Sequence, residues 1–276
     1  MPEPSTTNLQ CLQVWGGTEA ADQTLRMTGL DGYLYARPYE GAKRGGDVYY
    51  VSSCASGRIT RALLADVAGH GSKVAETAQD LRSLMQYYVN FTSQQLFMRA
   101  MNQKFAEITE AGRFATTVAM SYFAPKRRLS LSNAGHPAPL WYRAKSRRWS
   151  VLGMDPSDET SEATADLPLG IADDAGYQQV DITFGVGDLL LLYTDALIES
   201  RGPDGRMLGV GGLLDRLNRL EVGEAERVIP TLIERLAEDD AHDLADDDVT
   251  VLLIQANGTK NEWRKLALAP FYAIRG

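Results

Sequence analysis

The 276-residue chain has 44% hydrophobic and 23% charged residues, which is the composition of an ordinary globular protein long enough to bury a core. Its net charge of -8 argues against a general nucleic-acid binder, and its two cysteines exclude a disulfide framework and a cysteine zinc site. The first residues show no signal-peptide pattern, and no apolar stretch is long enough to cross a bilayer. We therefore expect a cytoplasmic protein with no nucleic-acid partner and no membrane partner.

The beginning of the chain predicts one strand and then a hairpin. Residues 1–30 carry no strong pattern, so we expect a partly ordered lead-in, and a first strand follows at 32–37. The segments 47–54 and 59–66 have the composition of two strands joined by a turn centred on Ser56–Gly57.

That turn fixes the pairing of two carboxylates. In a hairpin centred there, residues whose numbers add up to 113 face each other, and Asp47 and Asp66 satisfy that sum. Directly opposed residues lie roughly 5 Å apart, so these carboxylates repel each other unless a proton or a cation lies between them. A hard divalent cation is the obvious candidate.

The rest of the chain predicts helices in pairs and strands in runs. Apolar residues spaced by three and four predict helices at 72–90 and 93–111, which a short link should pack as an antiparallel hairpin. The later predicted strands are 115–123, 128–133, 138–143, 148–152, 177–183, 187–195 and 248–255, and the later helices are 209–220 and 224–238. This arrangement favours an α+β fold with largely antiparallel sheets. If the strand ending at Asp195 neighbours the strand starting after Asp247, both carboxylates lie at one rim of a sheet.

Three turns allow both a functional and a structural interpretation. Gly45–Gly46 lets the backbone approach an ion or phosphate closely, or is only a turn entering a strand. The loop from Asp66 to Gly71 either ligates a cation or is capped by its aspartate. We interpret His136, between two predicted strands, as structural, with a direct catalytic role as the alternative.

Seven segments, in order, resemble the metal-dependent protein phosphatases (the PPM family) in their bacterial SpoIIE/RsbU-like branch. They are GGDVYY, LLADVAGHG, TTVAMSYF, LSNAGHPAPLW, LPLGI, GDLLLLYTDALIES and DDDVTVLLI. The resemblance implies an α-β-β-α sandwich of two antiparallel sheets flanked by helical pairs. It divides the chain into the lead-in 1–30, a catalytic domain at 31–256 and a tail at 257–276. We expect the tail to pack on its own domain, and docking to a partner or to a second protomer in a homodimer is the alternative.

The resemblance also implies a site with two Mn²⁺ or Mg²⁺ ions and a water that attacks phosphorus in line. The implied ligands are Asp47, Asp66 as the bridge between the ions, the carbonyl of Val67, Asp195 and Asp247. Asp248 is the alternative to Asp247, because the family motif D-[DN]-[IVM]-T matches a run of acids here. His70 is a weak candidate for the general acid. Ala196 replaces the usual glycine after Asp195, and its Cβ would cost roughly 1 kcal/mol if that position needs a positive φ.

Together these features predict a Mn²⁺- or Mg²⁺-dependent phosphoserine/phosphothreonine protein phosphatase. The resemblance implies bacterial partner switching, with a phosphorylated STAS-domain anti-anti-sigma protein as the substrate. Two alternatives stay open: a non-catalytic phosphoprotein-binding scaffold on the same fold, and a metal-dependent hydrolase of small phosphoesters. Retention of four mutually repelling acids argues against the scaffold.

Overall fold

The structure is a computed structural model, and it describes most of the chain. The described residues are 5–9, 13–39, 42–54, 57–69, 72–88, 91, 93–109, 112–153, 166–202, 205–239 and 247–259. Within them, no helix is long and apolar enough to cross a membrane.

The strands form two sheets, which we call sheet A and sheet B. In chain order the strands are β1 (Ser5–Asn8), β2 (Gln13–Gly17), β3 (Ala21–Met27), β4 (Leu30–Arg37), β5 (Asp47–Cys54), β6 (Ile59–Val67), β7 (Ala115–Phe123), β8 (Arg128–Ala134), β9 (Leu140–Arg143), β10 (Arg148–Val151), β11 (Val180–Thr183), β12 (Leu189–Tyr193) and β13 (Val249–Ala256). Sheet A has the order β1-β3-β4-β13-β12-β9-β10, and sheet B has the order β11-β8-β7-β6-β5-β2. Neighbouring strands are antiparallel except β1 and β3, which run parallel.

Five helices cover the outer faces of the two sheets. They are α1 (Ser72–Tyr87), α2 (Gln94–Ile108), α3 (Ala196–Glu199), α4 (Gly209–Arg219) and α5 (Val228–Asp239). The side chain of Ser93 caps α2 by accepting the N–H of Leu96. Pro230 lies in the first turn of α5, where the missing N–H costs no intrahelical bond.

Three apolar clusters define four layers. The inner cluster joins the facing sides of the sheets and includes Leu34 and Leu192 of sheet A and Leu64 of sheet B. A second cluster packs the other side of sheet A against α3, α4 and α5. A third packs the other side of sheet B against α1 and α2, with Phe97 and Phe105 fully buried. The chain is therefore an α-β-β-α sandwich whose two sheets meet in a single apolar layer.

The predicted register and strand neighbours are confirmed. β5 pairs with β6 so that Asp47 faces Asp66 and Cys54 faces Ile59. β12 and β13 are antiparallel neighbours, with Tyr193 opposite Val251. Both helices of the predicted hairpin, α1 and α2, are also present.

Residues 1–30, which the sequence predicts to be a partly ordered lead-in, contain three strands in the structure. That segment contributes β1 and β3 to sheet A and β2 to sheet B. β1 and β2 are edge strands, so their outward residues are polar and their pattern is weak. β3 alternates half-buried and buried residues, but one of the buried ones is Gln23, which hides the apolar period.

Several predicted features lie outside the described residues. They are the turn residue Ser56, the candidate general acid His70, most of the acidic loop 153–166, the segment 240–246 and the tail from residue 260 onward. The first residues of the tail are described, and Asn257 donates a hydrogen bond of 3.0 Å to Asp31.

Candidate active site at the carboxylate rim

Two aspartates of sheet B face each other at the rim of the sandwich. Asp47 begins β5 and Asp66 lies one residue before the end of β6, and the two are directly opposed. Alternate residues of these strands, such as Tyr49 and Leu64, belong to the inner cluster, so both aspartates point toward sheet A. Asp47 is only 5% exposed. The hairpin therefore holds two carboxylates close together at the edge of the inner layer.

Sheet A brings two more aspartates to the same rim. Asp195 follows β12, Asp247 lies two residues before β13, and the backbone N–H of Thr194 donates to the carbonyl of Thr250 over 3.0 Å. Because the two strands run antiparallel, the end of one lies beside the start of the other. The expectation that both acids lie at one rim of a sheet is confirmed.

The four carboxylates perturb one another's ionisation. Burial and then the charges of Asp195 and Asp247 raise the pKa of Asp66 to about 7. Burial and the charge of Asp66 raise the pKa of Asp47 well above its ordinary value. Burial also raises the pKa of Asp195, with a further contribution from the charge of Glu199 one helical turn later. Among the described residues, no lysine or arginine forms an ion pair with any of the four, so their charge is uncompensated.

Two threonines of sheet A support Asp47. The hydroxyl of Thr194 donates to Asp47 Oδ2 over 2.9 Å and accepts the N–H of Thr250 over 3.0 Å. Thr194 is 0% exposed and Thr250 is 2% exposed. A hydrogen bond to the ionised form lowers the pKa of Asp47 and opposes the effect of burial. Sequence reasoning missed both residues, although each lies beside a candidate acid in the segments YTD and DDVT.

The carboxylate of Asp248 accepts hydrogen bonds from backbone N–H groups rather than pointing at the other carboxylates. It accepts the N–H of Tyr39 over 2.6 Å, of Gly46 over 2.5 Å and of Asp47 over 3.4 Å. A Cβ on Gly45 would overlap this carboxylate. Gly45 therefore allows a close approach, but to Asp248, which neither interpretation of Gly45–Gly46 anticipated. Asp247 has a single contact of this kind, from the N–H of Asp248 over 2.7 Å.

Ala196 fits its position without strain. It begins α3, is 8% exposed, and is absent from the non-glycine residues that have a positive φ. The Cβ of Ala196 would be costly only at a positive φ, and Ala196 does not have one.

His136 is buried below the rim and is neutral at pH 7. Burial lowers its pKa to about 3, and it is 3% exposed. Its Nδ1 is 2.9 Å from the hydroxyl of Thr116, the residue that pairs directly with Asp66. Asn133 holds its backbone at both the N–H and the carbonyl. These contacts fit the structural interpretation, because an imidazole with this pKa does not serve as a cationic proton donor.

The rim suits a hard divalent cation by its donor chemistry. All four donors are carboxylates, which suit Mg²⁺ and Mn²⁺ better than softer metals, and neither buried Asp47 nor half-buried Asp66 has a lysine or arginine partner among the described residues. Within the described part of the chain, however, no three acidic, histidine or cysteine side chains converge closely enough to enclose an ion. The carboxylates of Asp195 and Asp247 instead face backbone N–H groups. Ion binding would require the side chains of half-buried Asp195 and exposed Asp247 to rotate.

This fold is that of the PP2C, or PPM, phosphatases. The RsbU and RsbW domains of Rv1364c from Mycobacterium tuberculosis match with a TM-score of 0.69 at 22% identity, over 85% of this chain and 62% of that one. The PP2C phosphatase domain with a regulatory fragment of SpoIIE from Bacillus subtilis matches with a TM-score of 0.66 at 15% identity, over 90% and 64%. The catalytic domain of the serine threonine protein phosphatase PstP, solved with 2 manganese ions, matches with a TM-score of 0.56 at 18% identity, over 82% and 97%.

Sequence comparison defines the family. Residues 56–257 match the family model described as Stage II sporulation protein E (SpoIIE). Since this match spans more than half of the chain, the chain belongs to the SpoIIE family. "Phosphoserine phosphatase RsbP" of Bacillus subtilis (strain 168) is 23% identical over 142 residues, which are 50% of this chain and 32% of that protein. The chain thus resembles about a third of the length of this relative.

Proposed function

We propose that the chain is a Mn²⁺- or Mg²⁺-dependent protein phosphatase that hydrolyses phosphoserine or phosphothreonine. The observation that carries this proposal is the directly opposed pair of buried Asp47 and half-buried Asp66, which has no cationic partner among the described residues. Membership of the SpoIIE family and the phosphatase names of its relatives support it.

In this proposal four aspartates and one carbonyl hold two ions. Asp66 would be shared by both ions, as the family resemblance implies, and the charges of Asp195 and Asp247 act on it directly. Asp47, Asp195 and Asp247 flank it, and the carbonyl of Val67 faces the backbone of Gly46 at the same rim. When bound, divalent ions lower the pKa of a water and stabilise charge on the phosphoryl oxygens.

The choice of Asp247 over Asp248 as the ligand also has a structural basis. Asp248 already accepts three backbone N–H groups, and its release would leave those donors without their acceptor. Asp247 would give up one contact, to the N–H of its neighbour. We therefore assign Asp247 to the ions and Asp248 to the support of the loop before β5.

The proposed substrate is a phosphorylated STAS-domain protein in a partner-switching system. This rests on the branch of the family and on the RsbP and RsbU names of similar proteins.

The test compares phosphate release from three substrates with Mn²⁺ and with EDTA. The substrates are a phosphorylated STAS-domain protein, an unrelated phosphoserine peptide and p-nitrophenyl phosphate. Asp66→Asn is the inactive variant, and Asp215→Asn, on the exposed side of α4, is its matched control. We expect Mn²⁺-dependent release that is fastest from the STAS protein and is lost in Asp66→Asn only. Turnover of p-nitrophenyl phosphate alone would indicate a small-phosphoester hydrolase, and no turnover of any substrate would indicate the scaffold.

A further inference from the structure

Positive side chains gather at the end of the sandwich opposite the carboxylates. β5 and β6 have Asp47 and Asp66 at one end and the Cys54–Ile59 pair at the other. The β5–β6, β7–β8 and β9–β10 turns all lie at that second end. We call the exposed cations of these turns the basic end: Arg58, Lys126, Arg127, Lys145, Arg147 and Arg148.

Short connections hold the three turns beside one another. Arg58 accepts the N–H of Ala124 through its carbonyl over 2.9 Å, which joins the first two turns. The carbonyl of Arg127 accepts the N–H of Phe184 over 2.8 Å. Four residues later Asp188 accepts the N–H of Ala144 over 2.9 Å, in the third turn. A segment of this length spans at most about 14 Å, so the turns form one continuous surface.

The cations of the basic end are not neutralised by other residues in the described part of the chain. Among the described residues none of the six forms an ion pair, whereas their neighbour Arg128 pairs with Asp181 over 2.6 Å. Asp188, the nearest buried acid of this end, is 7% exposed and is engaged by backbone N–H groups. A chain with a net charge of -8 thus keeps six exposed cations on one end.

The backbone provides an independent observation. Arg127 has φ 50° and Arg147 has φ 53°, and they are the only described non-glycine residues with a positive φ. Glycine or asparagine occupies such turn positions with less strain. Two long cationic side chains at strained positions, one in each of two adjacent turns, indicate a role for the side chains themselves.

We propose, in departure from the expectation from the sequence that there is no membrane partner, that the basic end docks on an anionic lipid surface and leaves the carboxylate rim facing away from it. Clusters of lysine and arginine are attracted to anionic headgroups. A surface made of the tips of three turns suits a broad charged partner better than an acidic peptide that needs a groove. Val186 is 49% exposed and lies between Phe184, which bonds to the second turn, and Asp188, which bonds to the third, so it offers an apolar contact beside the charges.

The sequence that follows the sandwich supports a lipid over another acidic partner. Gly258 lies against Val186, so the chain leaves the described region beside the basic end. Residues 260–276 contain four cations and one acid, together with Trp263, Phe271 and Tyr272. Aromatic residues next to cations are typical of segments that lie at a membrane interface.

Sedimentation of the full chain with vesicles tests this proposal. The vesicles are phosphatidylcholine alone and phosphatidylcholine with phosphatidylserine. The test variant is Lys126→Glu/Lys145→Glu/Arg148→Glu. Its control, Arg99→Glu/Arg219→Glu/Arg235→Glu, changes the net charge equally through exposed residues of α2, α4 and α5.

We expect the wild type and the control to sediment with the anionic vesicles, less so at high salt, and the test variant to bind at least about tenfold more weakly. Mn²⁺-dependent phosphate release should be the same in all three proteins, so this inference and the proposed function fail separately. Equal binding to neutral vesicles, or an equal loss in both variants, would overturn the inference. Capture by polyglutamate or DNA without binding to vesicles would overturn it too, in favour of an acidic macromolecule.

Discussion

The hydroxyl of Thr194, at the end of β12 in sheet A, donates a 2.9 Å hydrogen bond to Asp47 Oδ2, which begins β5 in sheet B. This bond crosses the inner layer and fixes the orientation of a carboxylate that is otherwise surrounded by like charges. Groups that orient a metal ligand are worth about 10- to 100-fold in metal affinity. Thr194 is therefore expected to act on the site without touching an ion or a substrate.

Thr194→Val should weaken Mn²⁺ binding by about tenfold or more, because Asp47 loses its hydrogen bond and with it a fixed orientation. Thr194→Ser keeps the hydroxyl and should restore most of the affinity. Calorimetric titration with Mn²⁺ is the measurement, alongside the melting temperature in EDTA. Thr60→Val is the matched control, since Thr60 is 1% exposed and its hydroxyl has no partner in the described part of the chain. Unchanged Mn²⁺ affinity in Thr194→Val would show that this bond does not position the ligand.

Variants of Asp247 and Asp248 should affect different properties. Loss of Asp247 should weaken metal binding, and loss of Asp248 should lower the stability of the metal-free protein. Asp248→Ala removes the acceptor of three backbone N–H groups and should lower the free energy of unfolding in EDTA by about 1–3 kcal/mol. Asp248→Asn keeps one side-chain oxygen as an acceptor, so its free energy of unfolding should fall by less. Asp247→Ala should leave the stability in EDTA unchanged or higher, because it removes a charge that raises the pKa of Asp66, yet it should weaken Mn²⁺ binding. Denaturant unfolding and Mn²⁺ titration of the three variants check this, and the opposite assignment would exchange the two phenotypes.

The stability of the metal-free protein should depend on pH through Asp66. Its pKa is raised from 3.8 to about 7, so the folded state binds a proton more tightly than the unfolded chain. Ionised Asp66 costs stability above about pH 7, and that cost disappears as the pH falls from 7 toward 4. In EDTA the melting temperature should therefore rise as the pH is lowered from about 8 to about 5.5.

Asp66→Asn should flatten this dependence, because an amide does not titrate there. The comparison with the variant removes the general effect of the net charge of -8. Saturating Mn²⁺ should also reduce the slope, since metal binding requires the deprotonated carboxylates. Parallel melting curves of wild type and variant across the pH range would rule out Asp66 as the titrating group.

The sequence allowed the hairpin pair to be predicted because its register depends only on a local turn. Asp47 and Asp66 are 19 residues apart, and the turn predicted at Ser56–Gly57 was enough to predict which residues face each other. The placement of Asp195 and Asp247 at one rim of sheet A was predicted on the condition that β12 and β13 are neighbours, and the structure meets that condition.

The supporting contacts could not be predicted in the same way. The bond from Thr194 to Asp47 depends on how the two sheets stack, which no local pattern encodes. Asp248 accepts from residues 201 to 209 positions away, so the sequence shows only one more acid in an acidic run. The strands within residues 1–30 escaped prediction because edge strands are partly polar and short.

Calorimetric titration of the metal-free chain with Mn²⁺, for the wild type and Asp66→Asn, tests the central claim most directly. If the four aspartates form a divalent metal centre, the wild type should bind two Mn²⁺ ions with release of protons, because Asp66 and Asp47 have raised pKa values without metal. Asp66→Asn, which lacks the bridging carboxylate, should lose at least one of these ions. Absence of Mn²⁺ binding by the wild type, or two ions bound equally well by Asp66→Asn, would contradict this account of the site.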